Sequence, residues 1–207
     1  MEPKKYYNTL LAQKVIQELR KRNMEGFYFE TKEEALKKVL EMIPKDSLVS
    51  WGGSATLHEI GLQVALKNEK YNVLDPNEPQ GGKAKDIIAH QALGADYYLM
   101  SSNAISTTGE LVNIDGYGNR VASLIFGPKN VIVIAGINKV EPDLDAAILR
   151  AKKYAALIMM VAFKQGYSSF DELSKAAESA CSHLVITNMS TNKDRIKVIL
   201  IGEYLGF

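Results

Sequence analysis

Hydrophobic and polar positions along the chain alternate between helical and strand-like spacing. Between residues 6 and 23, apolar side chains recur at near-helical spacing among lysines, arginines and glutamines, which predicts an amphipathic helix on the surface of the fold. Strands are then expected in "GFYFE", "DSLVSW", "YNVLD" and "ADYYLMSS", and helices in "TKEEALKKVLEMI", "SATLHEIGLQVALKN" and "KDIIAHQALG". This alternation predicts an α/β sandwich built on a mainly parallel sheet.

The pattern changes after residue 103. "GELVNIDGYGN" predicts a strand that runs into an Asp-Gly turn, a strong signal for a hairpin, whereas "RVASLIF" fits a helix or a strand equally well. "KNVIVIAG" predicts a buried strand, and "DLDAAILRAKKYAALIMMVAF" predicts a long helix whose start is marked by Pro142 and Asp143. Ser169 and Glu172 have the spacing of a helix cap. Finally, "HLVITN" and "DRIKVILIGEYLGF" predict a terminal strand pair joined by the polar loop "MSTNKD".

Length and composition bound the class of protein. A chain of 207 residues predicts a single domain over residues 1–207, with a first helix at about residues 4–24 packed on it. The chain has 46% hydrophobic residues, 24% charged residues and a net charge of +1. This balance predicts no strong electrostatic field that would attract nucleic acid or an anionic membrane. The first residues lack the apolar core of a secretory signal, so a cytoplasmic location is expected. The longest apolar run, residues 154–163, is too short to span a bilayer.

Metal-ligating residue types are sparse. A single cysteine, Cys181, excludes an internal disulfide and any site built from several thiolates of one chain. The three histidines, His58, His90 and His183, are far apart in the sequence. We therefore expect no metal site, and the residues identify no cofactor.

The stretch "SLVSWGGSATLHEIGLQ" contains the first candidate site. Two glycines, Gly52 and Gly53, follow a short apolar strand, and a helix with Ser54 and Thr56 in its first turn comes next. Glycines at such a point let a phosphate, a carboxylate or a nucleotide tail approach the open amides of a helix start. The spacing matches neither the dinucleotide fingerprint nor a Walker loop. The alternative is a tight turn with Thr56, spaced from Glu59 as in a capping box, acting only as a helix cap.

Residues 101–120, "SSNAISTTGELVNIDGYGNR", form the second candidate. Polar side chains crowd a glycine-punctuated segment that begins where a strand ends, so they could orient a polar ligand or supply an acid or a base. Asp and Asn beside glycine are also common turn residues, and alternate polar positions on a strand can simply face water. The predicted ligand-binding residues of this segment are Asn103, Thr108, Asn119 and Arg120, and the predicted catalytic residues are Glu110 and Asp115.

Three blocks of the chain resemble the LUD-domain family of lactate utilisation proteins. They are "WGGSATLHEIGL", "SSNAISTTGELVNIDGYGNRVASLIFGPKNVIVIAGINKV" and "RIKVILIGEYLGF". The resemblance implies a three-layer αβα sandwich of the ribose-5-phosphate isomerase A and CoA transferase type, with a first helix and a terminal strand pair. It places the family's glycine loop on residues 52–56 and its central motif on residues 103–120. Many relatives carry several cysteines before the last strands, and because this chain keeps only Cys181, a family-type cluster is not supported.

Two functions follow from the resemblance as expectations. In the first, the chain binds a small anionic metabolite or the phosphate of a nucleotide or CoA at the glycine loop, within the oxidation of L-lactate to pyruvate. Arg120 would neutralise ligand charge, and Asp115 or Glu110 would act as acid or base. In the second, the chain is a non-catalytic accessory subunit that contacts an iron–sulfur or flavin oxidoreductase through Tyr6, Tyr7 and Tyr204. Whether the chain forms a homo-oligomer is left open.

Overall fold

The computed structural model describes residues 2–78 and 81–207. Its α-helices are α1 (Pro3–Lys21), α2 (Lys32–Met42), α3 (Ala55–Glu59), α4 (Leu62–Asn68), α5 (Gly82–Ala92), α6 (Asn119–Phe126), α7 (Leu144–Arg150), α8 (Ala156–Phe163) and α9 (Phe170–Ala180). Its strands are β1 (Glu25–Phe29), β2 (Leu48–Trp51), β3 (Asn72–Leu74), β4 (Tyr97–Met100), β5 (Ala104–Ser106), β6 (Leu111–Asp115), β7 (Asn130–Gly136), β8 (Val140–Glu141), β9 (His183–Thr187) and β10 (Ile196–Ile201). A 3₁₀ turn (Ile137–Lys139) follows β7, and a π-helical segment (Ala151–Ala155) joins α7 to α8.

Six strands form the main sheet in the order β1-β10-β7-β4-β2-β3, and every neighbouring pair is parallel. Side chains of successive residues on a strand point to opposite faces, so each strand contributes to two cores. On β7, Val131 and Val133 pack with α1, α5 and α6, whereas Ile132 and Ile134 pack with α2, α3 and α4. The result is the predicted three-layer α/β arrangement, with apolar strands buried on both faces.

A second, smaller sheet contains four strands in the order β8-β5-β6-β9. β6 pairs antiparallel with both β5 and β9, and β5 pairs parallel with β8. Its apolar face packs against α7, the π-helical segment, α8 and α9 through small side chains such as Ala147 and Ala151. This small sheet carries most of the polar segment 101–120 and therefore fixes where its side chains lie.

Two predicted helix starts are confirmed and one is wrong. Thr31 and Glu34 form a capping box at α2, and Ser169 caps α9 by accepting from the Glu172 amide. Thr56, in contrast, is not a cap, because Ser54 caps α3 by accepting from the Leu57 amide at 3.3 Å. Thr56 lies one residue inside the helix and is fully buried.

The segment predicted as one helix, residues 54–68, is two helices. Gly61 separates α3 from α4 and adopts a left-handed conformation with φ of 71°. Glycine reaches this region at little cost because it has no Cβ, so the chain can change direction there. The glycine loop is therefore followed by a helix of only five residues.

The Asp-Gly hairpin was a wrong prediction. β6 pairs with β5, which precedes it, and after Asp115 the chain enters α6, so "RVASLIF" is helical. Asp115 Oδ1 accepts from the amides of Tyr117 and Gly118, at 3.0 and 2.7 Å, and this turn leads into the helix. An Asp side chain that bonds the amide two residues ahead can precede a helix as readily as a strand, which is why the signal misled.

The two terminal strands exist but do not pair with each other. β10 lies between β1 and β7 in the main sheet, whereas β9 pairs antiparallel with β6 in the small sheet. The uninterrupted apolar run "VILI" in β10 suits a strand that is buried on both faces, the usual environment inside a parallel sheet. Within residues 2–78 and 81–207, no helix combines the length and apolarity that crossing a membrane requires.

Candidate functional site

A cavity of about 320 Å³ opens where three neighbouring strands of the main sheet end. β2 pairs with β4 and β4 pairs with β7, so the segments that follow them start side by side. Parallel α/β sheets place their ligands at this carboxyl edge. We call this space the strand-end cavity. It is lined by Gly53, Ser54, Ala55, Ser101, Ser102, Asn103, Arg120, Lys139, Met159, Ala162, Phe163 and Phe207.

Lys139 is the most unusual residue of the cavity. It ends the 3₁₀ turn after β7 and is only 3% exposed. Its Nζ donates to Thr56 Oγ1 at 3.0 Å and to Ser101 Oγ at 3.1 Å. Burial, reinforced by the positive charges of Arg150 and Arg120, lowers the pKa of Lys139 from 10.5 to about 7. The amine is therefore about half neutral near pH 7.

Arg120 also lines the cavity, but its donors are used within the protein. Nη1 donates to the Ser101 carbonyl at 3.1 Å and to Asn113 Oδ1 at 2.6 Å. Nη2 donates to Asn103 Oδ1 at 2.9 Å and to the Ile114 carbonyl. Burial lowers the pKa of Arg120, yet a guanidinium stays charged at neutral pH. Arg120 thus holds the loop walls in place and contributes positive potential.

A second arginine, Arg150, also holds the segment around Asn103 in place. Arg150, at the end of α7, donates to the carbonyls of Asn138 at 3.2 Å and Asn103 at 2.6 Å. It also lies 3.5 Å from a carboxylate oxygen of Glu141. Arg120 and Arg150 together anchor Asn103 through its side chain and its backbone. The position of Asn103 at the cavity is therefore strongly determined.

The two glycines of the loop have different surroundings. A Cβ on Gly52 would lie 2.9 Å from the Arg120 side chain and 3.0 Å from the Tyr98 hydroxyl, so Gly52 is needed for close packing. A Cβ on Gly53 would meet nothing within 4 Å. Among the described residues, the amides of Gly53, Ser54 and Ala55 have no hydrogen-bond acceptor. This loop therefore presents open amides to the cavity.

Thr56 connects Lys139 to the last residues of the chain. Its hydroxyl receives the Lys139 hydrogen bond and donates to the Leu205 carbonyl at 3.4 Å. Gly206 packs against both side chains, since a Cβ there would lie 2.5 Å from Thr56 Oγ1 and 3.1 Å from Lys139 Nζ. Glu59 accepts from the Gly206 amide at 2.9 Å and holds this last segment on α3.

Four of the predicted residues lie away from the cavity. Thr108 and Glu110 belong to the turn between β5 and β6, where Glu110 pairs with Arg22 and accepts from Ser106 and from Thr108. Burial acts to raise the pKa of Glu110, but the hydrogen bonds from Ser106 and Thr108 outweigh it and lower the pKa overall. These contacts join α1 to the small sheet.

Asp115 ends β6, and Asn119 is the first residue of α6. Asp115 accepts from the backbone amides ahead of it and lies 3.8 Å from the Arg120 Nε. Asn119 borders a separate surface pocket together with His183. Neither residue lines the strand-end cavity. Their predicted roles in catalysis and binding find no counterpart in the geometry of that cavity and stay predictions.

A larger groove, of about 1130 Å³, runs along the open side of β9 and the loop before β10. Arg195 lines it, but its guanidinium donates to the carbonyls of Pro128, Leu124 and Ser123. None of the predicted site residues lines this groove. The groove therefore brings together none of the residues that the sequence predicted for the site.

The cavity can hold charge and transfer a proton, but its walls do not form a metal centre. Among residues 2–78 and 81–207, no three His, Cys, Asp or Glu side chains are grouped so that they could bind a metal ion. A lysine with a pKa near 7 can act as acid, base or nucleophile at neutral pH. The sequence reasoning missed this residue. The available signal was a lysine three residues after the continuous apolar run "VIVIAG", which predicts a buried strand.

A three-layer α/β fold with a ligand-sized cavity at the strand ends defines the class of this protein. A family model described as "LUD domain" matches residues 12–201, and the chain therefore belongs to the LUD-domain family. No curated protein sequence matches the chain.

A solved structure gives the same fold. The crystal structure of a DUF162 family protein from Deinococcus radiodurans covers 94% of this chain, and this chain covers 98% of that one. The TM-score is 0.57 and the sequence identity is 12%. This similarity supports the fold and carries no information on the ligand.

Proposed function

We propose that this LUD-domain protein binds a small anionic metabolite in the strand-end cavity. The observation that carries the proposal is the charge of the cavity wall. Lys139 and Arg120 both line it, and Arg150 lies just behind, while no carboxylate of the described residues comes within 4.0 Å of Lys139 Nζ. Arg120 lies 3.8 Å from Asp115 and Arg150 lies 3.5 Å from Glu141, whereas Lys139 has no such carboxylate partner among the described residues. An anion in the cavity would supply one and would be stabilised by the positive charge of the wall.

The size of the cavity limits the ligand. A volume of about 320 Å³ lies at the lower end of the range for small-molecule sites, which suits an organic acid or a phosphate group. A nucleotide or CoA could place only one end in it. The open amides of residues 53–55 add donors for carboxylate or phosphate oxygens. Membership of the LUD-domain family supports a carboxylate of lactate oxidation, L-lactate or pyruvate, as the first ligand to test.

A thermal-shift titration tests this function. L-Lactate, pyruvate, inorganic phosphate, ADP and CoA are added separately to the full chain, and a bound ligand raises the melting temperature with concentration. We expect at least one small anion to stabilise the protein. Absence of a shift with all five compounds would contradict the proposal.

A pair of glycine variants locates the binding. Gly53→Val adds side-chain volume where a Cβ meets nothing within 4 Å, so the fold should tolerate it while the cavity becomes narrower. Gly82→Val is the matched control, because a Cβ at Gly82 also meets nothing within 4 Å and the residue lies in α5, away from the cavity. The ligand-induced shift should be lost in the first variant and kept in the second.

A second candidate function, the accessory subunit, is favoured by exposed aromatic side chains. Tyr6, Tyr7 and Tyr204 are each more than half exposed, and Lys4 Nζ lies 4.4 Å from the Tyr204 ring centroid. Such side chains are frequent in protein interfaces. Under this proposal the three tyrosines contact a flavin or iron–sulfur oxidoreductase. Co-purification with such an enzyme, abolished by replacing the three tyrosines with serine and retained in Gly53→Val, would support it.

A further inference from the structure

The hydrogen bonds of Lys139 leave the lone pair of its amine nitrogen available for a reaction. Ser101 Oγ donates its own hydrogen to the Ser102 carbonyl at 3.3 Å, and Thr56 Oγ1 donates to the Leu205 carbonyl at 3.4 Å. Both hydroxyls must therefore accept from Nζ, which uses two N–H groups. In the neutral amine, the nitrogen lone pair is then the group that remains.

The surroundings favour that neutral form. Among the described residues, the charged side chains that act on Lys139 are Arg150, Arg120 and the acidic Glu59. Two positive charges and burial disfavour a third positive charge on the ammonium. A buried lysine that is neutral near pH 7 is a nucleophile suited to carbonyl carbons.

We propose that Lys139 forms an imine with a small carbonyl compound that carries a carboxylate, a 2-oxo acid being the simplest class. This inference rests on the proposed function, since the same cavity would bind the ligand. The carboxylate lies in the positive field of Arg120, and the adjacent carbonyl carbon faces Lys139.

The reaction needs no oxidant or reductant. The lone pair of Nζ forms a bond to the carbonyl carbon, and the π electrons of the C=O bond move to oxygen, which takes up a proton as Nζ loses one. The C–O bond of the resulting carbinolamine then breaks, the hydroxyl group leaves as water with the remaining proton of Nζ, and the nitrogen lone pair forms the C=N bond. One amine and one carbonyl thus give one imine and one water.

Entry to the amine is possible from the end of α8. Phe163, on the cavity wall, is 80% exposed, so this part of the wall borders solvent. The opposite wall, around Ser101 and Lys139, is buried. Under this proposal a small acid enters on the side of Phe163 and reaches the buried amine.

Reductive trapping tests the imine. The full chain is incubated at pH 7.5 with pyruvate and cyanoborohydride, and the site of the reduced adduct is mapped by peptide mass spectrometry. We expect modification at Lys139 to be on the order of a hundredfold faster than at exposed lysines, whose neutral fraction at this pH is on the order of a thousandfold smaller. L-Lactate, which carries a hydroxyl group in place of the ketone of pyruvate, should compete without forming an adduct.

Two variants complete the test. Lys139→Arg keeps a cation and should give no adduct in the cavity, whereas Lys193→Arg, at an exposed position, should be modified as the parent chain is. Adducts spread evenly over the lysines of the parent chain would overturn the proposal, and this result does not depend on whether a variant folds.

Binding and trapping can fail separately. If pyruvate raises the melting temperature and no adduct forms at Lys139, the imine is refuted and the binding function stands. If L-lactate, pyruvate, phosphate, ADP and CoA all leave the melting temperature unchanged and no adduct forms, both are refuted.

Discussion

Replacing Lys139 with methionine should stabilise the fold at neutral pH. The pKa of Lys139 falls from 10.5 to about 7 on folding, so between these values the native chain binds fewer protons than the unfolded chain. The free energy of unfolding therefore rises as pH rises between these two pKa values, and the cost of burying Lys139 is largest at and below pH 7. At about 1.4 kcal/mol for each pKa unit, burying this lysine costs about 4 kcal/mol at pH 7.

Methionine fills a similar volume without this penalty but gives up two hydrogen bonds to hydroxyl groups, which together contribute about 2 kcal/mol. The net expectation is a gain of about 2 kcal/mol at pH 7, or a rise of about 4–8 °C in melting temperature for a chain of this size.

The assay is denaturant unfolding of the parent chain and Lys139→Met at pH 7, 8 and 9. The free energy of unfolding of the parent should rise relative to the variant by about 2 kcal/mol over this range. Lys193→Met, at an exposed position, is the matched control and should follow the parent. Parallel pH curves for the parent and Lys139→Met would refute the reasoning, as would a variant that is less stable than the parent at pH 7.

Substitutions at three further positions test the packing around the cavity and the Glu110 contacts outside it. Gly206→Ala should cost about 1–3 kcal/mol in unfolding free energy, because φ is 59° and the new Cβ would lie 2.5 Å from Thr56 Oγ1; wild-type stability would contradict this packing. Arg120→Met should cost about 3–5 kcal/mol in unfolding free energy, since it leaves buried carbonyl and amide oxygens without hydrogen-bond donors. Arg120→Lys should restore part of the lost stability. A methionine variant as stable as the parent would show that the hydrogen bonds of Arg120 are unimportant. Glu110→Gln should cost about 1–3 kcal/mol in unfolding free energy at pH 7 and leave the ligand-induced rise in melting temperature unchanged. Because the pKa of Glu110 is lowered in the fold, this cost should vanish as pH falls through that pKa. Weakened ligand binding in this variant would place Glu110 in the site.

The architecture could be predicted because local signals and burial agree. Continuous apolar runs such as "VIVIA" predicted the parallel sheet, and the capping box at Thr31 predicted the start of α2 correctly. Pairing partners were harder, since β9 and β10 are neighbours in sequence but belong to different sheets. Strand pairing depends on long-range packing, and adjacent strands in a sequence need not pair.

The site was predicted in part for a similar reason. Glycines after one strand and a polar segment after another predicted that Gly53 and Asn103 would lie close together, and both residues line the strand-end cavity. The position of Glu110 could not be derived, because it depends on the pairing of β5 with β6 and on contact with α1. Lys139 was missed because neither its burial nor its hydroxyl partners is visible in the sequence. Its chemistry arises from three strand ends that meet only in the folded chain.

Isothermal titration calorimetry with L-lactate tests most directly whether the strand-end cavity is an anion site governed by Lys139. An anion beside the amine raises its pKa, so binding at pH 8 should take up a fraction of a proton, detected as a heat that differs between buffers of different ionisation enthalpy. We expect one site in the parent chain, with proton uptake that is lost in Lys139→Met. Absence of binding by L-lactate, pyruvate and phosphate alike, or binding with the same heat and no proton uptake in both chains, would contradict it.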